Sequence, residues 1–254
     1  MAEDMNGKVA LITGGASGIG RATALRFAAD KASIVIADVD TEEGEETVRT
    51  IEANGGDAHF VKTDVVRESE VKTLVRKSVD VYGRLDYAFN NAGISSPRSV
   101  DLVEHTEEEW DRVIDIDLKG VWLCMKHEIP QMLKQGSGAI VNTSSIYGLV
   151  GIPTGPAYAA AKHGVIGLTK SAALTYAQKG IRVNTVCPGA TRSPMVQRII
   201  DQSPTREEWY VSQHPIGRMG VPKEIAEAVV WLCSDKASFI TGHAMAVDGG
   251  YVAQ

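Results

Sequence analysis

The sequence lacks the features of secreted, membrane-spanning and disulfide-stapled proteins. It has only three cysteines in 254 residues. Their odd number and wide spacing argue against a disulfide framework and favour buried free thiols in a reducing compartment. No apolar run approaches the roughly 18 residues that cross a membrane as a helix. Residues 1–7 are polar and acidic, without the basic start and apolar run of a secretory signal. We therefore expect a cytoplasmic protein that does not enter a membrane.

Clusters of positive charge and of metal ligands are also missing. The formal net charge is -6, and acidic and basic residues are mixed along the chain without a Lys/Arg block. This pattern argues against binding to nucleic acid or to an anionic membrane. The six histidines are scattered, with no pair at helical ligand spacing and no Cys/His cluster, so we expect no catalytic metal.

Short apolar runs alternate with segments of helical period along the whole sequence. The fourth helical pattern is long, from Trp110 to Met125, and we expect Pro130 to disturb its end. Nearly continuous apolar strands are typical of a parallel sheet covered on both faces. The order predicts one α/β domain over residues 1–254, a Rossmann-type doubly wound parallel sheet with helices on both faces. The runs predicted as strands are 9–12, 34–37, 60–61, 85–89, 139–142, 181–186 and 244–247.

A glycine-rich segment at 13–20 follows the first predicted strand and opens the first predicted helix. Such a string alone also fits a flexible loop. Here, however, Asp38 ends the second predicted strand, 18 residues after Gly20, close to the usual distance of about 20 between a dinucleotide fingerprint and its ribose ligand. Backbone N–H groups in the loop and the helix N-terminus would hold a pyrophosphate. The combination predicts a dinucleotide site.

Asp38 also favours NAD over NADP as the cofactor. Its carboxylate can accept hydrogen bonds from the adenosine ribose hydroxyls, but it would repel a 2′-phosphate by about 4 kcal/mol per charge pair at 4 Å and an effective dielectric of 20. Ser17 and Ala37 lie in neighbouring positions and carry no compensating positive charge. Arg21 is the nearest cation, and we expect it to face away from the ribose.

Tyr158 and Lys162 are four residues apart in a predicted helix and share one of its faces. The spacing is common and usually structural. A tyrosine acting as a base near neutral pH needs about 4 kcal/mol of preference for its phenolate, which an adjacent ammonium and the positive nicotinamide ring supply. Ser145, thirteen residues before Tyr158, ends an apolar strand and could hydrogen-bond the substrate oxygen. Alternation along the strand end points Ser144 the other way.

With these motifs in order, the chain resembles the short-chain dehydrogenase/reductase family, in its compact branch of about 250 residues, over residues 8–251. The resemblance implies that Ser145 orients the substrate oxygen, Tyr158 transfers the proton and Lys162 holds the nicotinamide ribose. It implies that main chain near Ala190 contacts the carboxamide, and that the protein is a homotetramer. The residues it implicates in cofactor binding are Gly14, Ser17, Gly18, Ile19, Gly20, Asp38, Asp64, Val65, Asn91, Ala92, Gly93, Tyr158, Lys162, Pro188, Gly189, Ala190, Thr191 and Ser193.

Asp117 is the main departure from this family's pattern, which usually has asparagine there. In the family that residue is linked to a water that connects the lysine to solvent, largely through a kinked main chain, so aspartate could preserve the water. A buried carboxylate could also pair with Lys162 and change the pKa of Tyr158. We therefore count Asp117 among the catalytic residues and expect an active enzyme with a shifted pH optimum.

The substrate is expected to be a small alcohol or ketone, bound by residues from 94–102, 146–156 and 195–216, with 190–217 as a loop or lid. Bulky side chains there suit a hydrophobic or cyclic molecule, although Trp209 and Tyr210 could equally pack a surface helix against the body. The sequence predicts an NAD-dependent oxidoreductase; a redox sensor with little turnover is the alternative. The candidate substrate residues are Tyr147, Ile152, Met195, Trp209 and Tyr210.

Overall fold

The computed structural model describes residues 4–96, 98, 100–201, 203 and 205–254. Within them every apolar run predicted as a strand forms one, and all pair in parallel in the order β3-β2-β1-β4-β5-β6-β7. The strand order reverses between β1 and β4, and at such a point the loops that follow the strands open a crevice. The strands are β1 Val9–Thr13, β2 Ser33–Asp38, β3 Asp57–Lys62, β4 Tyr87–Asn90, β5 Gly138–Thr143, β6 Ile181–Pro188 and β7 Ala244–Val247.

Helices cover both faces of the sheet, as the unbroken apolar strands require. On one face α1 and α9 pack together beside α2, and on the other face lie α3, α5 and α6. Two short helices, α7 and α8, follow β6. The helices are α1 Gly18–Ala29, α2 Thr41–Ala53, α3 Glu68–Tyr82, α4 Glu107–Ile114, α5 Gly120–Gln135, α6 Pro156–Tyr176, α7 Pro194–Asp201, α8 Arg206–Ser212 and α9 Pro222–Cys233. The described residues include no helix long and apolar enough to cross a membrane.

The long fourth helix is interrupted at a different place from the one expected at Pro130. A π-helical segment, Asp115–Lys119, joins α4 to α5, and the Gly120 N–H bonds to the Asp115 carbonyl. Pro130, by contrast, lies within α5, which continues to Gln135. Pro130 is on the exposed side of α5, where water can hydrate the carbonyl left without a partner, so the helix continues through it. The expectation of a disturbance at Pro130 was therefore wrong.

Candidate active site

The glycine-rich loop after β1 is built for the close approach of a phosphate to the main chain. Gly14 has a φ of +64°, and a Cβ there would lie 2.9 Å from Ala92 Cα. A Cβ on Gly20 would lie 2.0 Å from the Gly14 carbonyl oxygen. Ser17 precedes α1 in an extended conformation, and its side chain does not cap the helix. Ile19, in the first turn of α1, packs against the core. The residues therefore fit a dinucleotide phosphate at a helix N-terminus.

Asp38 lies at the end of β2, directly beside this loop. Its Oδ2 accepts a hydrogen bond from the Ala16 N–H at 3.0 Å, and its Oδ1 accepts one from the Asp40 N–H at 3.1 Å. These bonds hold the carboxylate at the rim of the crevice. Arg21 hydrogen-bonds Thr47 and Glu43 of α2 instead. Arg21 is thus already paired with α2, and its recorded ion pair is with Glu43 rather than with Asp38.

Asn91, Ala92 and Gly93 follow β4 on the other side of the switch point. Asn91 donates from Nδ2 to the carbonyls of Thr13 and Gly14, each at 3.2 Å. The Thr13 hydroxyl accepts from the main-chain N–H of Asn91 at 3.0 Å and of Ala92 at 3.1 Å. The two cofactor-facing loops are therefore tied together. The part of Thr13 in this link was not identified from the sequence, where it reads only as the last residue of a strand.

Lys162 and Asp117 form a buried ion pair, with Nζ 3.1 Å from Oδ2. The π-helical segment turns Asp117 inward, where its Oδ1 accepts from the Ile94 N–H at 2.8 Å. Lys162 also donates to the Thr143 carbonyl at 3.2 Å. Burial raises the pKa of Asp117, although Lys162 opposes this. Burial disfavours the charge on Lys162, but Asp117 and Tyr158 outweigh it and raise the pKa of the ammonium. The predicted pairing of the two side chains is present.

Tyr158 lies one turn before Lys162 on α6, with Nζ 5.3 Å from the centre of its ring. Burial raises the pKa of the phenol and Lys162 lowers it. Asp117 raises this pKa, while an interaction with the Ser145 hydroxyl lowers it. Phenol, ammonium, hydroxyl and carboxylate are thus electrostatically coupled, so that a change in one alters the proton affinity of the others.

Ser144 and Ser145 follow β5 and have different partners. Ser144 donates to the Lys162 carbonyl at 2.8 Å and so anchors α6 to the sheet. The Ser145 hydroxyl accepts from the Tyr147 N–H at 3.2 Å, which orients its oxygen at the start of the short 3-10 helix Ile146–Gly148. One serine has a structural partner, and the other faces the catalytic phenol.

The segment after β6 lies beside the glycine loop. Within it, the main chain of Ala190 is hydrogen-bonded to other residues of the protein. The Ala190 N–H donates to His214 Nε2 at 3.0 Å, and its carbonyl accepts from the Gly220 N–H at 2.9 Å. The main-chain N–H and carbonyl of Ala190 therefore each already have one partner within the protein. Thr191 follows Ala190 in the sequence and is also buried.

Neighbouring positions of this segment pack closely against other parts of the protein. A Cβ on Gly189 would lie 2.6 Å from His214 Nε2, and one on Gly18 would lie 3.3 Å from Ser193 Cβ. Pro188, the last residue of β6, is paired with Val247 of β7. Ser193 therefore lies directly against the phosphate loop.

Asp64 and Val65 follow β3, next to β2 and Asp38. Asp64 lies 3.4 Å from Arg67 Nε, and Val65 is buried in a small cluster with Leu123 and Cys124. Thr63 donates its N–H to the Asp38 carbonyl at 2.9 Å, which joins the ends of the two strands. The pair therefore lies beside the end of β2 that carries Asp38.

The candidate substrate residues are only partly brought together. Tyr147 and Tyr210 are half-buried, and each interacts electrostatically with Tyr158. Trp209 is 42% exposed, and its recorded partners are the neighbouring Tyr210 ring and the Arg206 guanidinium. Ile152 and Met195 are half-buried on the flanking segments. Tyr147 and Tyr210 therefore lie near the reacting centre, whereas Trp209 lies on the outer side of α8.

Two residues beside this centre were missed from the sequence. His214 is buried and links the Ala190 N–H to the Tyr210 carbonyl, 2.6 Å from Nδ1. Tyr251 packs on His214 with ring centres 5.4 Å apart. No motif or spacing marks either one, because their partners are distant in the sequence or lie in the main chain.

Comparison with known proteins agrees with this geometry. The family profile described as "Enoyl-(Acyl carrier protein) reductase" matches residues 14–252. The chain is 45% identical over 251 residues to a 2,5-dichloro-2,5-cyclohexadiene-1,4-diol dehydrogenase of Sphingobium indicum, covering 98% of this chain and 99% of the relative. It is 46% identical over 255 residues to a cyclohexanol dehydrogenase of an Acinetobacter species, covering 100% and 98%.

The fold is shared with solved structures as well. The crystal structure of a levodione reductase superposes with a TM-score of 0.94 at 39% identity, covering 98% of both chains. Identities of this size over whole chains show that this chain and these proteins share one fold. The relatives are named as dehydrogenases, enzymes that act on CH–OH groups. The chain is an oxidoreductase that belongs to the short-chain dehydrogenase/reductase family.

Proposed function

We propose that the enzyme uses NAD to oxidise a secondary alcohol on a carbocyclic ring to the ketone, and catalyses the reverse reduction, with Tyr158 as the proton-transferring group. The observation that carries this proposal is the cluster beside the cofactor crevice, in which Tyr158 interacts with Ser145 and with the Lys162–Asp117 pair. These four side chains come from β5, α6 and the π-helical segment and meet beyond the carboxyl ends of the central strands.

Tyr158 and Ser145 act on the oxygen of the substrate. In oxidation the Tyr158 phenolate accepts the hydroxyl proton as the carbonyl forms, and in reduction the phenol returns it. The Ser145 hydroxyl donates to the same oxygen and stabilises the charge that develops there. Its oxygen is oriented by the Tyr147 N–H, so the remaining hydroxyl hydrogen is free to turn toward the substrate.

Lys162 keeps donor capacity for the cofactor. Its Nζ donates to the Thr143 carbonyl and lies 3.1 Å from Asp117 Oδ2, and a further N–H can hold a hydroxyl of the nicotinamide ribose. The ammonium also favours the Tyr158 phenolate. Asp117 weakens this second effect, since its negative charge lies beside the same ammonium.

The cofactor that suits the crevice is NAD. When bound, it supplies the hydride acceptor for oxidation and a positive ring that favours the phenolate. The Asp38 carboxylate at the end of β2 supports NAD over NADP, because a 2′-phosphate would meet an uncompensated negative charge. Within the described main chain no hydrogen bond is recorded to the Thr191 N–H or carbonyl, so we assign the carboxamide contact to Thr191 rather than Ala190.

A ring-borne alcohol is supported by two observations. The relatives described above are named for cyclohexadiene-diol and cyclohexanol substrates. In addition, three arginines of the flanking segments form ion pairs, Arg98 with Glu109, Arg192 with Glu207 and Arg218 with Glu224. Arg206 stands alone over the Trp209 ring. The described residues therefore present no free cationic cluster for a phosphate-bearing or acidic carrier.

The assembly and location of the enzyme are inferred on separate grounds. An apolar groove on α5 and α6 supports a homotetramer built on helix–helix contacts, and it is lined by Ile114, Leu118, Trp122, Gly164, Gly167 and Leu168. Residues 190–217, which include α7 and α8, are proposed to act as the lid.

Cys124, Cys187 and Cys233 are free and buried, and burial raises the pKa of each thiol. Such inert thiols suit the cytoplasm.

The test is NADH formation from NAD with cyclohexanol and open-chain secondary alcohols, for the wild type and Tyr158→Phe. The wild type should reduce NAD with cyclohexanol, use NADP poorly and lose at least about 100-fold in kcat in the variant, since general acid–base catalysis contributes that much. Tight NADH binding without turnover of any alcohol would refute the proposal and favour a redox sensor.

A further inference from the structure

A pair of tyrosines, Tyr147 and Tyr251, lies beside the catalytic centre and is not used in the proton transfer. Tyr147 is the second residue after Ser145, and its N–H donates to the Ser145 hydroxyl at 3.2 Å. Its ring is half-buried and interacts electrostatically with Tyr158. The position of Tyr147 is therefore coupled to the serine that holds the reacting oxygen.

Tyr251 comes from the other end of the chain and is held firmly next to Tyr147. It begins the 3-10 turn Tyr251–Ala253, whose main chain is fixed by Asp248: the carboxylate accepts from the Gly250 N–H at 3.0 Å and the Val252 N–H at 2.9 Å. The His214 ring supports Tyr251 from the other side at 5.4 Å. The side chain therefore has a defined place.

The two phenols meet edge to face and interact through their hydroxyl ends. Their ring centres are 6.2 Å apart at an interplanar angle of 82°. Burial, and then the interaction with Tyr251, raise the pKa of Tyr147. Tyr147 therefore keeps its proton at neutral pH, and it remains able to donate a hydrogen bond.

We propose that Tyr147 and Tyr251 form a polar subsite that donates a hydrogen bond to a second oxygen on the substrate ring, across from the reacting carbon. The substrate class is then a cyclic alcohol or ketone with a second oxygen substituent, such as a 1,4-diol. This rests on the function proposed above, because Tyr158 and Ser145 must hold the reacting oxygen for the second one to reach the pair. Because the two hydroxyls interact with each other, only one of their two O–H donors is used between them. A substrate ring that lacks a second oxygen leaves the other donor without a substrate partner.

The contrast between the two named relatives shows why such a subsite matters. One is named for a 1,4-diol and the other for cyclohexanol. The diol has a second hydroxyl opposite the reacting carbon, and it also carries two chlorines and two ring double bonds that cyclohexanol lacks. The proton-transferring residues do not touch the second hydroxyl, so its recognition must come from other residues around the ring, and Tyr147 and Tyr251 are polar side chains placed near the reacting centre.

The first experiment uses the wild-type enzyme alone. Initial rates with NAD are measured for cyclohexane-1,4-diol, 4-methylcyclohexanol and cyclohexanol, and kcat/KM is expressed per reacting hydroxyl. The diol and the methyl compound have the same number of heavy atoms, so their ratio isolates the second oxygen. We expect a preference for the diol of roughly 3- to 10-fold, the range for one neutral hydrogen bond.

The second experiment measures the same ratio in Tyr147→Phe and Tyr251→Phe. Each variant should lower the preference for the diol by roughly 3- to 10-fold, and the double variant should lower it little further if the two hydroxyls act as a unit. Tyr176→Phe is the matched control, since Tyr176 ends α6 far from Tyr158, and its ratio should equal that of the wild type. Thermal unfolding and NADH binding verify that each variant is folded.

The outcomes separate the subsite from the proposed function. If the wild type oxidises both rings equally well, or if its preference survives in both variants, the subsite is wrong while ring oxidation stands. If no ring alcohol is oxidised, both proposals fail. If a variant does not fold, the wild-type ratio of diol to methyl compound decides on its own.

Discussion

At the scale of single residues, Asp117 changes the electrostatics that act on the proton-transferring phenol. An amide at this position would leave the full charge of Lys162 to favour the Tyr158 phenolate. The carboxylate, 3.1 Å from Nζ, cancels part of that field and raises the pKa of Tyr158. The enzyme should therefore need a higher pH for oxidation than it would with asparagine.

Asp117→Asn is expected to move the acid limb of the pH profile for alcohol oxidation. Removing the negative charge lowers the pKa of Tyr158, and the phenolate is the active form in oxidation, so the limb should shift to lower pH by about one unit. The measurement is kcat/KM for cyclohexanol against pH at saturating NAD. Asp115→Asn is the control, because Asp115 is exposed and pairs with Lys119. A profile that does not move in Asp117→Asn would disprove the coupling.

Asp38 is expected to decide between the two nicotinamide cofactors. In Asp38→Asn the hydrogen bond from the Ala16 N–H is retained by the amide oxygen, but the negative charge is gone. The ratio of kcat/KM for NAD to that for NADP should fall by about 10- to 100-fold, less than the full unit-charge repulsion because the crevice is open to solvent. Asp40→Asn, which keeps a good N-cap for α2, should leave the ratio unchanged. An unchanged ratio in Asp38→Asn would contradict this role.

The residues that could be predicted from the sequence are those whose function depends on local spacing. Tyr158 and Lys162 are one helical turn apart, and the glycine loop lies between a strand and a helix, so periodicity predicted their positions, while their roles were expected from the family resemblance. His214 and Tyr251 act through contacts with Ala190 and Tyr147 that are distant in the sequence. Composition and spacing carry no signal for such contacts, and only the tertiary structure brings these residues together.

At the scale of elements, α5 contributes a buried carboxylate to the layer beneath the active site. Glu128 accepts from Asn90 of β4 at 3.1 Å, and Asn90 donates to Asn142 of β5 at 3.0 Å. Asn142 in turn donates to Thr169 of α6 at 3.0 Å. This network joins two strands and two helices. Burial raises the pKa of Glu128 to about 7, although Asn90 opposes this.

Glu128 should make the stability of the protein depend on pH. Its pKa is about 7 in the folded state against 4.5 unfolded, so its contribution is fully present below pH 4.5 and is lost as pH rises through 7. This difference corresponds to about 3 kcal/mol in the free energy of unfolding. Glu128→Gln should remove this dependence, as urea unfolding between pH 4.5 and 8 would reveal, whereas exposed Glu42→Gln should keep it. An identical slope in Glu128→Gln and the wild type would contradict the assignment.

The π-helical segment is an element that the hydrophobic pattern did not predict, although the family resemblance implied a kinked main chain at Asp117. The apolar positions from Trp110 to Met125 continue with a helical period across it, so the pattern is the same for a regular helix and for one with an inserted turn. The two helices differ in their main-chain hydrogen bonds, because here the Gly120 N–H bonds to the Asp115 carbonyl, five residues earlier. That bond determines whether Asp117 faces Lys162, and thus part of the catalytic site depends on geometry that hydrophobic periodicity does not encode.

At the scale of the whole molecule, the exposed apolar surface suggests how copies of the chain assemble. Trp122 on α5 is 44% exposed beside the groove formed with α6. A Cβ on Gly167 would meet no atom within 4 Å, so a partner helix can approach closely there. The helix that carries Tyr158 and Lys162 would then be buried on both sides, which would stabilise their positions.

Trp122→Asp should dissociate the proposed tetramer into smaller species. A charge in the middle of an apolar helix–helix contact has to be desolvated without a partner, which costs several kcal/mol. Light scattering coupled to gel filtration gives the mass. Val81→Asp on α3 is the control, since Val81 is 49% exposed but lies on a different helix. A monomeric wild type, or an unchanged mass for Trp122→Asp, would show that this groove is not the interface.

The measurement that tests the central claim most directly is the fate of the hydrogen on the carbinol carbon. The enzyme is given NAD and cyclohexanol deuterated at C1, and the NADH formed is analysed by mass spectrometry, with Tyr158→Phe in parallel. We predict that each NADH formed by the wild type carries one deuterium and that the variant forms almost none. Unlabelled NADH, or full activity in Tyr158→Phe, would contradict direct hydride transfer with Tyr158 as the proton-transferring group.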